Sequence, residues 1–172
     1  VLEVHKGGKK NNDLYLSEVM IRPMSFGPEW IEIYNPNDFA LSLRGWSLNH
    51  TSSSIANNLL LKEGVISGHS TILLTGDSIS QDAGNASQVI DLSQDSFLGV
   101  GSMNLLTDGR GALSLRYTQI YEAQPYDVMT VEWGGDSGLF TSLGQSLSAT
   151  RTLDGVGAIW SVEANPTPGD YL

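Results

Sequence analysis

From Leu14 onward short runs of the chain return to the same face at every second residue, and that period leaves little choice of fold. In "EWIEIYN" (29–35) Ile31 and Ile33 fall on one face, and Trp30, Glu32 and Tyr34 on the other, as in a strand with one face against a core. The alternation returns in "LYLSEVMI" (14–21), "STILLTG" (70–76), "ALSLRY" (112–117), "YDVMTVEW" (126–133) and "QSLSATR" (145–151). "FALSLRGWSL" (39–48) carries it through Leu41 and Leu43 to Gly45, where a strand bends or bulges. Turn signals separate these runs: Asn35-Pro36-Asn37-Asp38, Glu63-Gly64, Ser67-Gly68, Thr107-Asp108-Gly109 and Gly134-Gly135-Asp136. No window carries a long amphipathic helix. Short strands with frequent turns predict an all-β sandwich, with Ile31, Ile33, Trp46 and Trp160 in or near the core and Glu32 turned to water.

At 172 residues the chain is long enough for one domain with a proper core and short for two. Residues 1–13, "VLEVHKGGKKNND", bring together Lys6, Lys9, Lys10, a Gly pair and two Asn, which is the composition of a linker or arm. The folded unit is therefore expected over 14–172. Val1 is not an initiator Met and no signal peptide follows it, so the N terminus reads as a processed or cut end. No run approaches the roughly 18 apolar residues of a membrane helix, and no membrane span is expected. The absence of Cys excludes disulfides, a cysteine zinc site and a thiol nucleophile. Outside the arm, 6 basic residues face 17 acidic ones, a net charge of −11. Such a surface repels a phosphate backbone, so nucleic acid is not an expected partner.

Six segments occur in an order that resembles the lamin tail domain family in its bacterial and archaeal form. "YLSEVMIRPM" is similar to the family's opening strand, and "EWIEIYNPND" followed by "LSLRGWSL" to its strand, Asn-containing turn and Gly-Trp element. "GVISGHSTILLTG", "LLTDGRGALSLR" with "DVMTVEWGG", "GQSLSATR" and the closing "WSVEANPTPGDYL" follow in sequence. His69 departs from the pattern, standing where the family often has Pro or another turn residue before the strand. The resemblance covers 14–172 and implies an immunoglobulin-like antiparallel β-sandwich. It also implies a non-catalytic module of a larger secreted or cell-surface protein, one that tethers or mediates contacts outside the cytoplasm.

Several residues invite chemistry. "GGDSG" (134–138) looks like a serine-protease nucleophile loop, but Ser137 would need a His base and an orienting carboxylate, and the chain has only His5, His50 and His69. Tight-loop glycines explain the motif without catalysis. Glu18 and Glu32 sit on strands that can be neighbours, and two acids facing one cleft would suit glycoside hydrolysis; outward polar positions explain both equally simply. Between Glu63 and Asp108 there is no Lys or Arg, and "DSISQDAGNASQ" reads as a long loop. Asp77, Asp82, Asp91 and Asp95 could give calcium some of its six to eight oxygens, and a solvated acidic loop is the competing explanation. No Gly-rich loop followed by Lys-Ser/Thr supports phosphate binding.

The aromatics are the other candidate. Trp30 and Tyr34 share one face of a strand, about 13 Å apart, which would give a sugar or a protein two rings to stack on if that face is open. A loop, the arm or the acidic segment would otherwise cover them. The leading expectation is an interaction or tethering module with a protein or cell-envelope partner. The alternative is a carbohydrate- or calcium-binding accessory module, and an enzyme is not expected.

Overall fold

The computed structural model describes residues 14–24, 27–79, 81–100, 105–106, 108–118, 124–139, 141, 144–151 and 158–170. The expected arm over 1–13, with His5 and its lysines, lies outside them. Twelve strands form among the described residues: β1 (Tyr15–Met20), β2 (Trp30–Asn35), β3 (Leu41–Ser42), β4 (Trp46–Thr51), β5 (Ala56–Leu60), β6 (Val65–Ile66), β7 (Ser70–Thr75), β8 (Gln88–Asp91), β9 (Gly111–Tyr117), β10 (Tyr126–Trp133), β11 (Ser146–Arg151) and β12 (Ala158–Glu163). The described residues hold one 3₁₀ turn, Gly135–Ser137, and no α-helix. No helix among them is long and apolar enough to cross a membrane.

The strands assemble as a six-stranded sheet in the order β12-β11-β1-β2-β7-β8, a four-stranded sheet β10-β9-β4-β5, and the short pair β3-β6. All pairs are antiparallel except β7 with β8. This is the immunoglobulin-like β-sandwich. Its core takes Leu16, Val19, Ile31, Ile33, Ile72, Leu74 and Leu147 from the larger sheet, and Trp46, Leu48, Leu59, Leu113, Leu115, Val131 and Trp133 from the smaller. Ile31 and Ile33 are buried as the alternation requires, Trp46 sits within the core, and half-buried Trp160 packs against it. "FALSLRGWSL" divides into β3 and β4, with Gly45 at a φ of 91° between them.

The turn after β2 folds around one buried side chain. Asn35 Nδ2 donates to the carbonyls of Phe39, Ile66 and Ser67, and its Oδ1 accepts from the backbone and side-chain nitrogens of Asn37. That clasp ties the 35–39 turn to the 66–69 turn. His69 closes the second turn at a φ of 53°, which a proline ring, fixed near −65°, cannot reach. The departure at this position therefore has a backbone reason.

The expectation that Glu32 faces water is wrong. Glu32 does lie on the face opposite Ile31 and Ile33, but its exposure is 0%. That outer face is covered: Ala86 and Val89 pack on Met20, Trp30 and Leu73, and Gly169 reaches Glu32 from the end of the chain. An alternating strand has two faces, and here both are buried.

Candidate functional site

Three buried glutamates dominate the chemistry of the larger sheet. The register of β1 slips between Leu16 and Glu18, after which Glu18 lies directly opposite Glu32 of β2. Like charges in that position repel and destabilise a sheet unless something answers them. Here Ser146 of β11 donates its hydroxyl to Glu18, and Thr167 adds its backbone N–H at 3.2 Å and its hydroxyl at 3.3 Å. Glu32 accepts from the Ser17 hydroxyl at 2.5 Å and from the Gly169 N–H. Burial raises both groups above the ordinary carboxylate range, Glu32 to about 7, against the lowering effect of these donors. The pair also repel one another, and Glu163 and Asp170 add to the repulsion.

Glu29, one residue before β2, makes a separate ring. Its carboxylate accepts the N–H of Gly99 at 2.6 Å, Leu105 at 3.1 Å and Leu106 at 3.0 Å. Its own N–H donates to the Gly99 carbonyl, so the loop is held from both sides. Burial pushes this carboxyl up to about 7, with the three amides opposing.

The aromatic pair does not form an open platform. Trp30 is 4% exposed under Ala86 and Val89, while Tyr34 is half-buried. The Tyr34 hydroxyl lies 3.4 Å from His69 Nδ1, and His69 Nε2 is 2.7 Å from an Asp38 oxygen. Both contacts lie at the surface, on the turn that Asn35 fixes.

Three of the four aspartates of the acidic loop spend their carboxylates on the loop itself. Asp91 accepts from the N–H and hydroxyl of Ser78 and from the Ser93 N–H, which holds it well below the usual carboxylate range. Asp77 accepts from the Ile79 N–H and Asp82 from the Gly84 N–H. Asp95 donates its N–H to the Leu92 carbonyl in the turn after β8. Among the described residues no three His, Asp or Glu side chains gather where they could hold a metal ion.

Ser137 lines a cleft of about 520 Å³ with Thr51, Ser52, Arg110, Glu132 and Asp136. Its hydroxyl donates to the Gly134 carbonyl at 2.8 Å and accepts from the Leu139 N–H at 3.3 Å, so it closes its own turn. His50 is buried and stacked on Trp133, with ring centroids 5.8 Å apart and planes within 4°. Burial lowers its pKa and favours the neutral ring. None of the three buried glutamates lines this cleft.

A family model, Lamin Tail Domain, matches residues 8–121. The chain belongs to the lamin tail domain family. No curated protein matches it. Domains of this family are immunoglobulin-like interaction modules and are generally non-catalytic. In this lamin tail domain the matched span holds β1 to β9 and all three glutamates, whereas β10 to β12 follow it. Ser146, Thr167 and Gly169, which satisfy Glu18 and Glu32, also come after the span. The sequence offered one partial signal: "PTPG" after the last strand, whose two prolines have no N–H to give a central ladder and so end the sheet there.

Proposed function

We propose that this chain is a non-catalytic interaction module that tethers a larger secreted or cell-surface protein to a protein or cell-envelope partner. One observation carries the reading. The carboxylates of Glu18, Glu29 and Glu32 are committed to N–H and hydroxyl groups of the chain itself, and none of them faces the open cleft. What the fold offers outward is an edge. Among the described residues β12 is the outermost strand of its sheet, with Ile159 at 66% and Val162 at 37% exposure, and such an edge can pair with a strand of a partner.

The test is capture of cell-envelope proteins on the immobilised chain, comparing the wild type with Ile159→Lys and Val162→Lys. Retention should be lost in both variants at unchanged melting temperature. Binding indifferent to both would remove β12 as the contact. Turnover of a peptide or glycan substrate that Glu32→Gln abolishes would overturn the non-catalytic reading itself.

A further inference from the structure

After Glu163 the chain leaves β12 and crosses the outer face of the six-stranded sheet, from β1 to the loop before β8. Along 165–170 every backbone N–H is used. Asn165 donates to the Glu163 side chain, Thr167 to Glu18, Gly169 to Glu32, and Asp170 back to the Thr167 carbonyl. Pro166 and Pro168 have no N–H to satisfy. The two donors that point at the sheet are therefore Thr167 and Gly169, two residues apart. Two residues give a reach of at most about 7 Å, enough for the roughly 5 Å between neighbouring strands, and Glu18 and Glu32 sit opposite one another on such strands.

The fit is steric as well as polar. Gly84 passes so close to Pro168 that a Cβ there would overlap the proline carbonyl oxygen, and a Cβ on Gly169 would overlap the nitrogens of Asn85 and Ala86. Asn85 Nδ2 donates to Asp170 at 2.5 Å. The acceptors are buried, Glu18 at 2% and Glu32 at 0% exposure, yet no residue of 164–170 is itself buried. A segment with no buried residue of its own, lying over a preformed surface, opens locally more readily than the core behind it.

We propose that Glu18, Glu32 and the Gly84–Ala86 turn form a peptide cradle, specific for a Pro-Thr-Pro-Gly segment, which holds residues 165–170 as a releasable strap and binds the same segment from a separate chain when the strap is out. The cradle lies within the matched family span and the strap after it. The proposal deepens the interaction reading at β1 and β2, which lie inside the sheet and not at the β12 edge, so Ile159→Lys tests the edge and Gly169→Val the cradle.

The experiment uses the full chain with Gly169→Val, whose added side chain ejects the strap, and a capped peptide of sequence ANPTPGD. At pH 6 the peptide should bind the variant at least tenfold more tightly than the wild type, whose own strap competes. A peptide with Val in place of Gly should not bind. A folded variant that ignores the peptide at millimolar concentration, or binds both peptides alike, overturns the proposal. If the variant does not fold, amide exchange in the wild type decides. Thr167 and Gly169 should exchange at a rate that low urea does not change, and exchange only through global unfolding overturns the strap.

Discussion

The two large sheets each place charged residues directly opposite one another, with opposite consequences. On β9 and β10, Arg116 faces Asp127 at 2.5 Å in partial contact with solvent, an attraction that water screens. On β1 and β2, Glu18 faces Glu32 out of water, a repulsion that low dielectric magnifies. The first pair needs nothing else. The second stands only because hydroxyls and amides from Ser17, Ser146, Thr167 and Gly169 converge on it. A wet outer face can be written locally, two strands at a time, whereas a dry one requires distant parts of the chain to arrive.

pH gives the widest separation between the sheets. Glu29 and Glu32 have folded values of about 7, above the 4.5 of the free side chain. Their protonated forms favour the folded state, so this contribution is full below about 4.5 and lost as pH rises through about 7. The cost reaches up to about 3 kcal/mol for each group. His50 in the smaller sheet runs the other way: its lowered value gives stability that is lost as pH falls below about 6.5. Urea unfolding should show a lower midpoint at pH 8 than at pH 5.5, because two glutamates outweigh one histidine. A midpoint that rises across that interval would contradict the assignment.

Glu32→Ala is the next largest effect. It strands the Ser17 hydroxyl and the Gly169 N–H and leaves a void in a fully buried position, together about 3 kcal/mol. Equilibrium unfolding at pH 6 measures it, and a loss under 1 kcal/mol would mean that the outer face is wetter than its burial implies.

The inner face of β2 was legible from its own six residues, because a period of two puts Ile31 and Ile33 on one side whatever surrounds them. The fold was legible for the same reason, repeated over many strands. The state of Glu32 was not, because its partner Gly169 stands 137 residues later in the chain. Alternation reports that a strand has two kinds of face and does not report whether the polar one is covered. For Trp30 the alternation left an open and a covered face as alternatives, and Ala86 and Val89 of the acidic stretch, one of the covers foreseen, decide it for the covered one. Glu29 escaped notice because its role depends on the amides of Gly99, Leu105 and Leu106, and amides carry no sequence signal.

Glu18→Gln sharpens the comparison by removing the repulsion and keeping the shape. The amide oxygen still accepts from Ser146 or Thr167, and Glu32 then has one fewer anion beside it. The variant should lose less than about 1 kcal/mol at pH 5.5 and equal or exceed the wild type at pH 8.5, flattening the dependence on pH. An unchanged slope would mean that burial, and not the Glu18 charge, sets the dependence at Glu32 as it does at Glu29.

Arg116→Ala should do least. Its partner Asp127 is half exposed, so cutting the pair leaves a carboxylate that water solvates at once, and the expected loss is below about 0.5 kcal/mol. The contrast with Glu32→Ala would then measure what a buried pair owes to its donors, since both substitutions remove one member of a cross-strand charge pair. A loss at Arg116 comparable to that at Glu32 would imply that the guanidinium stem shields the half-buried sheet surface around it, and that packing, not charge, sets the difference between the two faces.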